Sequence, residues 1–162
     1  MIKENILLIG MPGCGKSTVG KVLAEKLKYK FIDMDDFIEG IEGKSVSEIF
    51  IKGEDYFRDI ETEACRRLSR ENKIIIASGG GVIKRKINID LFKDNFTIIF
   101  IDRPLENILN DVEVEKIPLL ANGKEVLYKL YNERYELYNL YCNYKVINNK
   151  SLDDIIKEIL NK

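Results

Sequence analysis

The 162-residue chain contains no histidine. This excludes histidine-based triads, His–Cys zinc sites and imidazole acid–base chemistry. Cysteine is scarce: three, an odd number at unrelated spacings, which argues against a disulfide framework and for a reducing, cytoplasmic setting. No apolar run approaches the roughly 18–20 residues a bilayer requires. The apolar stretch near the N-terminus stops at Gly10, too short for a signal peptide. Neither sign of charge dominates: 26 Lys and Arg against 27 Asp and Glu leave −1. A balanced surface predicts no nucleic-acid partner and no acidic-membrane partner. At 45% hydrophobic and 33% charged residues the chain falls outside the disordered and collagen-like classes. Its length suits a single domain spanning 1–162.

Short β-rich runs alternate with helical patterns. Asn5–Gly10, Lys30–Asp33, Lys73–Ala77, Phe96–Ile101 and Tyr144–Ile147 read as strands. Between them, Gly15–Lys28, Ser47–Phe50, Tyr56–Arg70, about Leu105–Leu109, Lys124–Tyr141 and Leu152–Leu160 carry helical spacing; periodicity disappears over 110–123. Strands apolar on both faces and separated by helices predict an α/β fold, a parallel sheet covered on both sides. Right-handed crossovers then bring the strand C-termini, and the loops leaving them, to one edge.

The first of those loops, Gly10-Met11-Pro12-Gly13-Cys14-Gly15-Lys16-Ser17, satisfies G-x-x-x-x-G-K-[ST] in full, after a strand and opening a helix. Gly13, Cys14, Gly15 and Thr18 offer backbone N–H groups to a nucleotide's phosphates at the positive end of a helix. Lys16 suits the β- and γ-phosphates, and the Ser17 hydroxyl suits Mg²⁺. Cys14 fits as a small loop residue, and Cys65 and Cys142 as small core residues.

The other strand ends carry charge and glycine. Strand alternation points Asp33 and Asp35 to one side, where one carboxylate can hold a Mg²⁺-bound water and the other accept a hydroxyl proton. Asp33 or Asp35 could instead cap a helix, although Asp36, before Phe37-Ile38-Glu39, is the better cap. Arg58 and Glu61 share a helix face, either as an ordinary surface ion pair or as a guanidinium fork for a carboxylate beside an apolar Phe57 wall. Gly79-Gly80-Gly81 is either a flexible turn or a place where backbone amides approach a ligand. Six of the eight tyrosines fall at 128, 131, 135, 138, 141 and 144. Their spacing predicts packing against the sheet, with a stripe contacting adenine or a partner as the alternative.

Taken together, the Gly10–Ser17 loop with Thr18, Asp33-x-Asp35, Phe57-Arg58-x-x-Glu61, the triple glycine, Pro118-Leu119-Leu120 and Arg134-x-x-Leu137-Tyr138 resemble the shikimate kinase family almost from end to end. The resemblance implies a sheet in 2-3-1-4-5 order and transfer of the ATP γ-phosphoryl group to the 3-hydroxyl of shikimate by a cytoplasmic monomer. It implies Lys16 and Asp35 as catalytic residues, Mg²⁺ held by Ser17 and, through water, Asp33, and a substrate site of Asp35, Phe57, Arg58, Glu61, Gly79–Gly81, Pro118, Leu119 and Arg134. Arg58 and Arg134 would clamp the substrate carboxylate, with Glu61 positioning Arg58. A sister kinase of gluconate or nucleoside monophosphates is one rival; a nucleotide- or shikimate-binding protein of low activity is the other.

The departure from the family lies in the lid, about 110–123. Ile117 stands before Pro118-Leu119-Leu120 where the family usually carries an arginine, and about Asn110 a second arginine is replaced. The segment 111–116 holds three acids and one base, hence −2, which repels the charge of ATP instead of neutralising it. Lys116 is the nearest substitute, although it lacks the planar fork. If Lys116 partly rescues catalysis, Lys116→Ala lowers the turnover number by about tenfold or more; unchanged turnover removes Lys116 from the reaction.

Overall fold

The computed structural model describes residues 1–111 and 124–162. Lys116, Ile117, Pro118 and Leu119 lie outside these residues. The central strand β1 (Asn5–Ile9) is buried at all five positions, as a strand covered on both faces requires. It lies between β3 (Ile74–Ala77) and β4 (Phe96–Asp102). Beyond these, β2 (Lys30–Asp33) and β5 (Tyr144–Ile147) form the edges, giving the order β2-β3-β1-β4-β5. Every pair is parallel, with Ile6 opposite Ile75 and Leu8 opposite Ile99. The expected strand order is therefore the observed one.

From β1 to β2 the chain moves one way across the sheet, and every later crossover moves the other way. Right-handed connections put α1 (Lys16–Leu27) on one face and α4 (Glu54–Leu68), α5 (Lys86–Phe92) and α7 (Lys124–Tyr141) on the other. The C-terminal helix α8 (Leu152–Leu160) packs beside α1. The core follows the sheet through Ile6–Ile9, Ile74–Ile76 and Ile98–Ile101, with Leu23 from α1, Phe92 from α5 and Ile155, Ile156 and Ile159 from α8.

Several elements differ from their sequence reading. The helix α2 (Met34–Glu42) is additional to the expected runs, whereas α3 (Val46–Ile51), just before α4, contains the expected Ser47–Phe50. Asp33, not Asp36, caps α2: its carboxylate accepts the Asp36 N–H at 3.2 Å. Asp35 thus stands in the first turn of a helix, so strand alternation does not govern where it points. Lys73 takes a left-handed turn (φ 52°) before β3 starts. A 3₁₀ turn at Val82–Lys84 and then α5 follow the triple glycine. The short helix α6 (Leu105–Asp111) runs two residues past its expected end. Cys65 is buried as expected, but Cys142 is only half-buried.

At the far end of the chain, Ser151 caps α8, its side chain accepting the Asp154 N–H at 3.2 Å. Ser151→Ala leaves that N–H without its cap and should lower the unfolding free energy by about 1 kcal/mol. A urea melt measures this, with an unchanged m-value showing that the fold is kept.

Candidate active site

All five strands deliver their C-terminal ends to one edge, and the first loop there wraps back on itself. Lys16 is buried, and its Nζ donates to the carbonyls of Gly10 at 2.7 Å and Met11 at 2.9 Å. Gly15, at φ 101°, turns the chain into α1, and a Cβ there would come within 2.7 Å of Asn148 Nδ2. That amide, just beyond β5, donates to the Cys14 carbonyl at 2.8 Å. From the end of β4, Arg103 donates to the Gly13 carbonyl at 3.0 Å and pairs with Asp111 on α6. Two residues that sequence motifs did not single out thus brace the loop; their signal was only their place after a strand.

A cleft of about 260 Å³ opens beside the loop. Pro12, Gly13, Lys16, Ser17, Asp33, Asp35, Val46, Phe50, Phe57, Arg58, Glu61, Ser78 and all three glycines line it. Most of the site residues expected from sequence therefore meet in one place. Cys14, Gly15 and Thr18 belong to the loop but not to the lining, and Thr18 is exposed. Val46 and Phe50 are additions: α3 turns Phe50 onto Phe57, ring centroids 4.4 Å apart, to make one apolar wall.

At the nucleotide end Ser17 Oγ donates to Asp33 Oδ2 at 2.6 Å. Asp35 stands between that pair and Glu61. Burial, and then the neighbouring charges of Asp33 and Glu61, raise its pKa from 3.8 to about 6, while Lys16 pulls it down. A carboxyl so placed can take up a proton near neutrality.

At the other end, the surface-pair reading of Arg58 and Glu61 is wrong. Both are buried, Glu61 completely, with Arg58 Nη1 donating to Glu61 Oε1 at 2.9 Å. Arg58 also donates through Nε and Nη2 to Glu54 Oε1, at 3.3 and 3.2 Å, and lies over the Phe57 ring. Glu54 in turn pairs with Lys84, which holds its carboxyl below the usual range. Burial pushes the Glu61 carboxyl up, and Arg58 works against that.

The triple glycine fits into this arrangement without slack. A Cβ on Gly79 would come within 3.1 Å of Asp35, one on Gly80 within 2.8 Å of Pro12, and one on Gly81 within 2.5 Å of the Arg58 guanidinium carbon. Arg134 on α7 does not line the cleft but is close enough for its charge to act on Glu61. It is 3% exposed, and its Nε and Nη1 find no partner among the described residues. Glu61 Oε2 and Ser78 Oγ are likewise buried without partners among the described residues. Orphaned donors on a buried arginine suit an anion, and orphaned oxygens beside it suit hydroxyl groups.

A phosphate loop facing a small acceptor pocket with a high-pKa carboxyl at their junction defines a phosphotransferase of the P-loop kinase class. The shikimate kinase family model matches residues 12–162. Shikimate kinases from Clostridium beijerinckii and Clostridium botulinum (strain Alaska E43) are 53% and 51% identical over 98% of this chain, covering 94% and 96% of theirs. The structure of a shikimate kinase from Acinetobacter baumannii in complex with shikimate superposes with a TM-score of 0.92 at 32% identity, over 99% of this chain and 92% of that one. The chain belongs to the shikimate kinase family.

The Asp35 environment carries a stability cost whose sign is fixed. Its folded pKa, about 6, lies above the unfolded 3.8, so the folded state binds protons more tightly. The penalty is absent below pH 4 and fully felt above pH 6. Asp35→Asn should therefore stabilise the fold by up to about 2–3 kcal/mol at pH 8 and by progressively less toward pH 4. Paired urea melts at the two pH values check this; an equal effect at both would contradict it.

Proposed function

We propose that this chain transfers the γ-phosphoryl group of ATP to the 3-hydroxyl of shikimate, giving shikimate 3-phosphate and ADP. The observation that carries the reading is the buried guanidinium of Arg58, held by Glu54 and Glu61 in the same cleft as Lys16 and Asp35. A small anionic polyol needs such a clamp at one end and a proton acceptor at the other. Arg58 and Arg134 take the carboxylate, and Phe50 and Phe57 pack against the ring. The amides of Gly79–Gly81 take a ring hydroxyl. Asp35 orients the 3-hydroxyl and accepts its proton as the bond to phosphorus forms. Lys16 exchanges its loop carbonyls for the β- and γ-phosphate oxygens, and the loop's N–H groups hold the rest. Positioning and charge account for most of the rate in such chemistry, because little covalent work falls to the protein.

The Ser17–Asp33 pair fits Mg²⁺. Both groups offer oxygen, they already lie 2.6 Å apart at the loop mouth, and one or two protein oxygens completed by phosphate and water are what this ion accepts. Ser17 would bind it directly and Asp33 through water; when bound it neutralises charge on the transferring phosphoryl group. A one-domain enzyme active as a monomer is the reading that the family resemblance implies. Unpaired thiols and near-zero net charge support a cytoplasmic setting. No helix among the described residues is long and apolar enough to cross a membrane.

Purified protein with Mg²⁺-ATP should release ADP when shikimate is added and not when gluconate or AMP replaces it. Arg58→Ala and Arg134→Ala should each raise the KM for shikimate at least tenfold while changing the KM for ATP by about twofold or less. Comparable loss of ATP affinity would remove both arginines from the clamp. Shikimate binding by calorimetry without ADP release would leave a binding protein, the reading that Ile117 and the acidic lid favour.

A further inference from the structure

Gly79-Gly80-Gly81 is by composition the least constrained segment of the cleft, since a Gly–Gly peptide can rotate without side-chain hindrance. Its amides are useful only if their direction is fixed. One feature of α7 supplies that direction. The Tyr138 hydroxyl, buried, donates to the Gly80 carbonyl at 2.5 Å. Burial pushes this phenol well above its ordinary pKa, so the donor keeps its proton. The peptides of the chain are all trans among the described residues. In a trans, planar peptide the carbonyl of one residue and the N–H of the next point in opposite directions. Tyr138 therefore turns the Gly81 N–H to the side away from its own hydroxyl, and Gly81 is the glycine whose added Cβ would meet the Arg58 guanidinium. That N–H has no protein acceptor among the described residues.

We propose that Tyr138 is a positioning residue for the acceptor: its hydroxyl pins the Gly80–Gly81 peptide plane so that the Gly81 N–H stands beside Arg58 as a third donor to the bound anion. The same helix face carries Arg134 one turn earlier, at i and i+4. One docking contact of α7 thus sets the direction of a backbone donor and the depth of a guanidinium together. Phe100 packs the Tyr138 ring at 5.1 Å and holds it at this height above β4. In this proposal the hydroxyl acts on the acceptor through the peptide it holds.

This inference rests on shikimate as the acceptor, and the experiment separates the two. Shikimate-dependent ADP release by the unsubstituted protein tests the acceptor; Tyr138→Phe, which keeps the ring and its packing, tests the pin. In Tyr138→Phe the KM for shikimate should rise about tenfold, with the KM for ATP unchanged. In ¹⁵N-labelled protein the Gly81 amide resonance should move on adding shikimate to the unsubstituted chain and stay in place in the variant at shikimate concentrations that saturate it. Equal rises in both KM values would mean general damage and overturn the proposal. So would a Gly81 amide that still responds in Tyr138→Phe. A variant too unstable for kinetics still gives the amide measurement at low temperature in the folded fraction.

Discussion

Glu61 is a carboxylate with no exposed surface, and the acceptor half of the cleft is arranged around that fact. A lone buried carboxylate is costly enough that it neutralises or acquires a partner. Arg58 is the partner, one turn earlier on the same helix, and it must itself be buried to reach. Burying Arg58 leaves further N–H groups to satisfy, and Glu54 takes two of them. The guanidinium then occupies the volume where a side chain at position 81 would sit, which leaves only glycine there. Asp35 and Pro12 press on the two preceding residues in the same way. A three-glycine segment, flexible in isolation, is in this way confined by the side chains around it.

The charge count of the cleft explains why Asp35 differs from its neighbours. Asp33 is tied to Ser17 and to the α2 N-terminus, and Glu61 to Arg58. Burial raises the Asp35 pKa most, three acids (Asp33, Glu61 and Glu39) raise it further, and among the described residues Lys16 alone pulls it down. The carboxyl without a dedicated partner is the one whose pKa approaches neutrality, which is the property a proton acceptor at a phosphoryl-transfer centre needs. The same lack of a partner burdens the folded state, an example of stability forgone at a functional position.

Much of this was readable without coordinates, for physical reasons that differ by element. The alternation of strands and helices follows from hydrophobic period, and the phosphate loop from a motif whose every residue has a backbone or phosphate reason; the strand order came with the family resemblance. Arg58 and Glu61 were visible as a pair, but i,i+3 spacing looks the same on a wet surface and in a buried wall; burial decides, and it is a tertiary property. Asp35 was singled out for the wrong reason, strand alternation, and reaches the cleft from a helix that Asp33 caps. Asn148 and Arg103 carried no motif because their partners are backbone carbonyls, Cys14 and Gly13, more than 80 residues away in the chain. Contacts to a carbonyl place no demand on the partner's side chain, so nothing in the partner's sequence advertises them.

The two halves of the cleft are held by different kinds of contact, and this bears on how each tolerates change. The phosphate loop is braced through its carbonyls by Lys16, Arg103 and Asn148. Its geometry therefore depends on Lys16 and on where β4 and β5 end, and Cys14 can occupy one of its positions without a chemical role. The acceptor wall is held by charge: Lys84, Glu54, Arg58 and Glu61 form one connected series in which each group neutralises the next. Removing Arg58 or Glu61 leaves the other charged and buried, whereas Glu54 and Lys84 reach solvent and their loss costs less. Arg134 stands outside the series, and its Nε and Nη1 find no partner among the described residues. Arg58 has two fixed acids to satisfy before any ligand arrives, whereas those two Arg134 donors could turn to a ligand without giving up an acceptor among the described residues. In the proposed clamp Arg134 would therefore gain more from a carboxylate than Arg58, although Arg58 lines the cleft and Arg134 does not.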